Sequence, residues 1–306
     1  MNKTIYALGF FDGVHAGHQA LLKECCRLAA ETGCDTGAVT FRDHPDALVF
    51  GAPPVLINTP ADRERLLHRF VSQVVTLPFD KKMLDTPWQD FLDMLCRDYH
   101  AAGFVCGDDF HFGYHGQGNG QLLLDYCQKA DLPGAVVPEQ TVDGTRVSST
   151  HIRTLLGQGN MEEADRFLGH PQMLTGTVVH GKHLGSTLGI PTANLPYPDG
   201  LVVPRKGVYA ARVCLDGTRY PAVTNVGTRP TVGGHHITVE PWLLDYDGDL
   251  YGKKITLEFL DFLRPEQKFD SLEDLKAAIL KNAEQTREIV KLKASPPGEL
   301  AGRSPD

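Results

Sequence analysis

Apolar positions in the first half of the chain alternate between short unbroken runs and runs spaced three or four residues apart. Thr4–Phe10 is an unbroken run and reads as a strand. Gly17–Ala30 carries Leu21, Leu22, Cys25, Leu28 and Ala29 at helical spacing, with Gly33 placed where a helix should stop. Thr36–Phe41, Val74–Leu77, Phe104–Cys106 and Ala135–Val137 are further short strands, and a helix is expected near Gln121–Lys129. Thr59-Pro60 pairs an N-cap with proline at the first helical position, and Thr86-Pro87-Trp88-Gln89 repeats the device with a T-x-x-Q capping box. Strands alternating with helices predict a parallel sheet covered on both faces, an α/β fold of Rossmann-like type.

The pattern changes between Gly157 and Pro171. After a short helix at Glu162–Leu168, the chain reads as strands broken by Gly, Pro and Asp: Gly176–Val179, Gly207–Val213, Tyr220–Thr224, Ile237–Leu243 and Ile255–Phe259. Asp216-Gly217 and Asp247-Gly248 stand as tight-turn dipeptides between such runs. Closure into a small antiparallel β-barrel would remove the exposed edges. A helix from Asp270-Ser271-Leu272-Glu273 to about Val290 follows, and the Pro-rich tail is expected to be disordered. The chain thus divides into residues 1–157, a helical linker at 158–171, a barrel domain at 172–292 and a tail at 293–306.

Composition narrows the function. Of 306 residues, 42% are hydrophobic and 22% charged, an ordinary globular balance, and no stretch approaches a membrane span. The N-terminus lacks the features of a signal peptide. A formal net charge of −8 gives no broad basic face for nucleic acid, although local donors still suit small anions and self-association stays open. Seven cysteines without a C-x-x-C pair read as reduced, mostly buried thiols of a cytoplasmic protein.

The first chemical site lies where the first strand meets the first helix, in Gly9-Phe10-Phe11-Asp12-Gly13-Val14-His15-Ala16-Gly17-His18. Ligands of open α/β sheets bind beyond the carboxyl ends of the strands, and a helix N-terminus there suits phosphate. Gly13 and Gly17 allow close backbone approach, while His15 and His18 share one face and can donate to one polyphosphate. A zinc pair is a rival, but no third ligand stands nearby. Val147-Ser148-Ser149-Thr150-His151-Ile152-Arg153 adds hydroxyls and an arginine that can clamp phosphates.

The full string resembles the F-D-G-V-H-x-G-H form of the H-x-G-H signature of nucleotidyltransferases, as in bacterial flavin adenylyltransferases. Thr40-Phe41-Arg42-Asp43-His44-Pro45, Gly107-Asp108-Asp109-Phe110-His111-Phe112-Gly113 and the S-S-T-x-I-R segment follow in that family's order. Asp43 and His111 depart from its usual proline and arginine. The resemblance implies catalytic roles for His15 and His18. It implies ATP contacts from Gly9, Phe11, Asp12, Gly13, Gly17, Ser149, Thr150 and Arg153, and a flavin contact from Asp109.

The second site is a glycine-punctuated stretch, Gly176 to Gly189, ending in Ile190-Pro191-Thr192-Ala193-Asn194-Leu195. Glycines at 181, 185 and 189 would let backbone N–H groups face a phosphate chain, yet the stretch is neither a Walker loop nor a protein-kinase loop. The P-T-A-N-L string, with Asn225-Val226-Gly227-Thr228-Arg229-Pro230-Thr231, Val239-Glu240, Asp249-Leu250-Tyr251-Gly252 and Leu263-Arg264-Pro265-Glu266-Gln267-Lys268-Phe269, resembles riboflavin kinase domains. That likeness implies Mg2+ and ATP phosphate at Thr192 and Asn194, phosphate contacts at Gly181 and Gly185, flavin contacts at Asn225 and Arg264, and Glu240 as general base. Ser186 stands where an arginine is common. Asp245, Asp247 and Asp249 fail EF-hand spacing and read as turn residues. Both halves together resemble the prokaryotic bifunctional riboflavin kinase/FAD synthetase family, implying ATP, riboflavin, FMN and FAD as substrates or products.

Overall fold

A computed structural model describes residues 2–180, 190–231 and 234–293, so the tail from Ala294 and the glycines 181, 185 and 189, with Ser186, lie outside the described residues. The chain forms two compact units. The first takes the chain up to Leu155 together with Glu163–His170 and Pro198–Val202. The second takes Leu156–Glu162, Pro171–Tyr197 and the chain from Val203 onward.

In the first unit, β1 (Thr4–Leu8), β2 (Asp35–Phe41), β3 (Gln73–Leu77), β4 (Ala101–Gly107) and β5 (Gly134–Val137) form a parallel sheet in the order β3-β2-β1-β4-β5. Every residue of β1 is buried, as a central strand covered on both faces requires. The chain leaves β1 toward β2 and β3, then crosses back to β4 on the other side. The strand order therefore reverses between β1 and β4, where such sheets place their ligands. Helices α1 (Ala16–Thr32), α2 (Pro45–Val49), α3 (Pro60–Leu67), α4 (Lys81–Leu84), α5 (Trp88–Tyr99), α6 (Gly120–Ala130), α7 (Ser149–Gln158) and α8 (Met161–Leu168) connect or follow the strands. Tyr6, Leu8, Phe41, Phe91, Leu95 and Phe104 belong to the core on one side of this sheet. A hairpin of β6 (Thr141–Val142) and β7 (Thr145–Arg146) precedes α7.

Gly33 ends α1 with φ 67°, the left-handed cap its position suggests. Thr59 caps α3 by accepting the N–H of Asp62. The expected capping box of α5 does not form: Pro87 occupies the N-cap without a side-chain bond, and Thr86 Oγ1 instead donates to the Lys82 carbonyl. The carbonyl at the end of the preceding short helix α4 competes for that hydroxyl and takes it.

The second unit contains β8 (Gln172–Thr177), β9 (Leu195–Pro196), β10 (Gly207–Leu215), β11 (Thr218–Thr231), β12 (Gly234–Leu243) and β13 (Lys254–Arg264). They form an antiparallel sheet in the order β8-β13-β10-β11-β12-β9. The Val179 N–H donates to the Asn194 carbonyl at 2.9 Å, so the two ends of the sheet meet and the barrel is nearly closed. Helix α9 (Leu272–Leu292) starts at Ser271, whose hydroxyl accepts the Asp274 N–H. Asp216 and Gly217 make the expected tight turn between β10 and β11, both at positive φ. Asp247-Gly248 does not make one. β12 pairs with β11 and β9 whereas β13 pairs with β10 and β8, so residues 244–253 must cross between non-neighbouring strands.

Candidate functional sites

A cavity of about 250 Å3 opens at the carboxyl ends of β1, β4 and β5, lined by Gly9, His15, Gly17, His18, Asp109 and Ser149 among others. His15 is the N-cap of α1, and its Nδ1 accepts the His18 N–H at 3.3 Å, which leaves its proton on Nε2. The two imidazoles stack with centroids 3.6 Å apart. A Cβ on Gly17 would stand 3.2 Å from His15 Nδ1, so the missing side chain lets that ring lie against the helix start. Burial drops the His15 pKa to about 4, and the charges of His170 and Arg153 oppose its protonation too. Burial likewise holds His18 well below the ordinary histidine range, with His15 and Arg63 adding to the effect. Both rings are therefore neutral near pH 7 and act as hydrogen-bonding groups.

The other expected nucleotide residues have diverse places. Phe11 turns its ring into the core, fully buried, so only its backbone can face a nucleotide. Asp12 is buried: its Oδ1 accepts the Ile57 N–H at 2.9 Å and its Oδ2 accepts Arg153 at 2.8 Å. These two residues, both expected at the phosphate, neutralise each other behind the loop. The Ser149 hydroxyl donates to the Asp12 carbonyl at 3.0 Å, and Thr150 is exposed on α7. Gly13, at φ 81°, gives its carbonyl to His170 Nε2 at 2.9 Å. Asp109 is exposed and paired with Arg146 at 2.7 Å. Of the aromatic residues in those strings, Phe41 and Phe112 are core, while Phe110 is half-buried at the cavity, its ring stacked on Phe112.

Sequence reading missed Arg63. It is buried, donates to the Phe41 carbonyl at 2.6 Å, and holds its guanidinium 4.2 Å from the centre of the Phe10 ring. His44 contacts the same Phe10 ring edge-on at 4.4 Å. Burial lowers the Arg63 pKa to about 10. An arginine inside an amphipathic helix looks like any solvated charge, so no local signal marked it.

The second cleft, about 610 Å3, belongs to the barrel unit. One row of register partners crosses its floor: Arg264 on β13, Val208 on β10, Asn225 on β11 and Glu240 on β12. Directly opposed residues share a face, so these side chains reach the cleft together. Val223 and Trp242, two positions along their strands, continue the same face in apolar form, and Leu272, Leu275 and Ile279 of α9 line the other wall. Arg264 Nε donates to Asn282 Oδ1 at 3.0 Å, fixing the guanidinium at the α9 side; burial lowers its pKa. Thr192 lines the cleft. Asn194 is half-buried, and between the two the Ala193 N–H donates to the Pro241 carbonyl at 2.8 Å, which sets this segment beside Glu240. Trp242 also lines the cleft and was missed, although its i, i+2 relation to Glu240 was a readable signal; Glu266, inside the Leu263–Phe269 string but given no role of its own, lines it too.

All seven cysteines are free thiols, three of them buried and the others half-buried. Burial pushes Cys25 up to about 12. No helix of the described residues is long and apolar enough to cross a membrane.

Two family models match the chain: FAD synthetase over residues 1–151 and riboflavin kinase over residues 168–290. Together with the two clefts they define a two-domain flavin transferase. The bifunctional riboflavin kinase/FMN adenylyltransferase of Pseudomonas fluorescens is 37% identical, covering 90% of this chain and 89% of its own. Its namesake from Escherichia coli strain K12 is 36% identical, with 93% and 92% covered. The protein of the same name from Listeria monocytogenes is 32% identical, with 94% and 92% covered. A solved Streptococcus pneumoniae structure described as a macrolide-efflux protein matches with TM-score 0.82 at 32% identity, over 93% of this chain and 94% of that one. The chain belongs to the bifunctional riboflavin kinase/FMN adenylyltransferase family.

Proposed function

We propose that the barrel cleft phosphorylates riboflavin and that the N-terminal cavity adenylylates the FMN so formed. One observation carries this reading: each family match falls mainly on one compact unit, and each unit has its own cleft. Residues 1–157 then supply most of the adenylyltransferase domain and 172–292 most of the kinase domain, with Pro198–Val202 packed in the compact unit of the former.

In the kinase cleft the flavin ring system lies along Val208, Val223, Trp242 and the α9 wall, with Asn225 and Arg264 as its polar contacts. The riboflavin 5′-hydroxyl attacks the γ-phosphorus of ATP, ADP leaves, and Glu240 accepts the proton. The nearby oxygen donors for a metal are the Thr192 hydroxyl and the Asn194 amide. This oxygen set suits Mg2+, with most of its shell left to phosphate and water. Bound there, Mg2+ neutralises phosphate charge. In the N-terminal cavity an FMN phosphate oxygen attacks the α-phosphorus of a second ATP and pyrophosphate leaves. His15 and His18 act as neutral donors to the oxygens that gain charge, with Gly9, Gly17 and Ser149 around the nucleotide and Asp109 toward the flavin.

No protein nucleophile is needed in either step, so catalysis rests on positioning and charge stabilisation. The partners are small molecules, and the free thiols and ATP dependence suit the cytoplasm. Incubation with riboflavin, ATP and Mg2+, followed by chromatography, should yield FMN first and FAD after it. FMN without FAD would leave only the kinase; neither product would refute the reading.

A further inference from the structure

The loop that presents the two histidines is held by chain segments beyond the FAD synthetase match. Asp12–Val14 is a short 3-10 turn, with Phe11 at φ 62°, Gly13 at 81° and Val14 at 40°. Left-handed backbone at a β-branched residue persists only where surrounding contacts enforce it. Several do. Asp12 is bonded by Ile57, Arg153 and Ser149. Gln19 Nε2 donates to the Val14 carbonyl at 3.0 Å and to the Leu168 carbonyl at 2.8 Å. His170 Nε2 lies 2.9 Å from the Gly13 carbonyl, and since a carbonyl only accepts, that ring nitrogen carries the proton.

A second support is a strap. The Leu56 N–H donates to the Gly200 carbonyl at 2.7 Å, and the Val202 N–H donates to the Leu56 carbonyl at 2.8 Å, with Leu201 and Val202 buried. Leu56 precedes Ile57, which bonds Asp12 and whose Cδ1 would stand 2.9 Å from a Cβ on Gly13. Glu163–His170 and Pro198–Val202 thus belong to the compact unit of the loop, although both follow residue 151.

We infer that His170 is a positioning residue for adenylyl transfer and that the Pro198–Val202 strap supports the same loop. The inference rests on the reading that this cavity makes FAD. His170 acts through Gly13: its N–H fixes the turn that sets where His15 and His18 stand. Small misplacements of groups around a reacting phosphate fall on turnover more than on ground-state binding.

The test uses full-length protein, with FMN-to-FAD conversion resolved into kcat and KM, and riboflavin phosphorylation measured on the same preparation. His170→Leu keeps bulk but lacks the donor. It should lower kcat for FAD about tenfold, the scale of one lost hydrogen bond, with KM for ATP and FMN within about twofold and the kinase rate unchanged. His170→Gln offers an amide N–H at similar reach and should recover most of the rate. Wild-type kcat in His170→Leu, no recovery in His170→Gln, or a parallel fall in kinase rate overturns the role of His170. Val202→Pro deletes the N–H given to Leu56 and should reproduce the selective loss; an unchanged FAD rate, or loss of both activities, removes the strap. Absence of FAD with wild-type protein would instead refute the reading of the cavity.

Discussion

The two clefts are built from different materials. In the barrel, Arg264, Asn225 and Glu240 stand in one register row, with Val208 of β10 between the first two, so the strand ladder also sets their spacing. At the N-terminal cavity, His15 and His18 stand at a helix start after a left-handed turn whose contacts come from α1, α7, residue 57 and residue 170. Strand residues inherit precision from the sheet, whereas a loop must be fixed bond by bond. The adenylyl site should therefore be sensitive to changes far from the nucleotide, and the kinase site mainly to changes in its lining.

Four experiments test this contrast, the first with the largest effect. Glu240→Gln keeps the shape of the row but cannot accept a proton. Kinase kcat should fall by about 10²–10⁴, with riboflavin KM little changed and FAD formation from supplied FMN intact. Kinase turnover near wild type would make Glu240 a lining residue only. His18→Ala should cost FAD formation about 2.7–4 kcal/mol of transition-state stabilisation while sparing the kinase; single-turnover adenylylation measures it, and an unaltered rate refutes the assignment.

Acid should act on the N-terminal unit. His15 has a folded pKa near 4 against about 6.5 when unfolded, so the unfolded chain binds the proton first as pH falls. Stability present above pH 6.5 is then lost progressively down to about pH 4, by up to about 3 kcal/mol from this residue. Urea titrations of wild type and His15→Gln across that window should converge at low pH, and parallel curves would mean His15 does not titrate with unfolding. The smallest effect belongs to Trp242→Leu. Losing an aromatic partner for the flavin should cost about 0.5–1.5 kcal/mol, read as a rise in riboflavin KM at nearly constant kinase kcat. A fall confined to kcat would place Trp242 nearer the reacting phosphate than the flavin ring.

Much of the architecture was readable because it is local. The spacing of Leu21, Leu22, Cys25 and Leu28 dictates α1, the β-branched and apolar runs mark the sheet strands, and the Thr59 and Ser271 caps appear where their side chains predict. Asp247-Gly248 shows the limit of such reading. Its turn chemistry is sound, but β12 and β13 are not neighbours, so it has no hairpin to close.

The sequence by itself determined the kinds of element, the division into an α/β half and a β half, and the two histidine and P-T-A-N strings, since each depends on residues a few positions apart. Only the tertiary structure decided that Asp12 and Arg153 neutralise each other, that Phe11 faces the core, that Arg264, Asn225 and Glu240 share a row, and that His170 bonds the Gly13 turn. Those outcomes depend on which buried charges find partners and which distant strands pair. Burial makes an unpaired charge costly, so packing selects the partner, and periodicity along the chain carries no record of that choice.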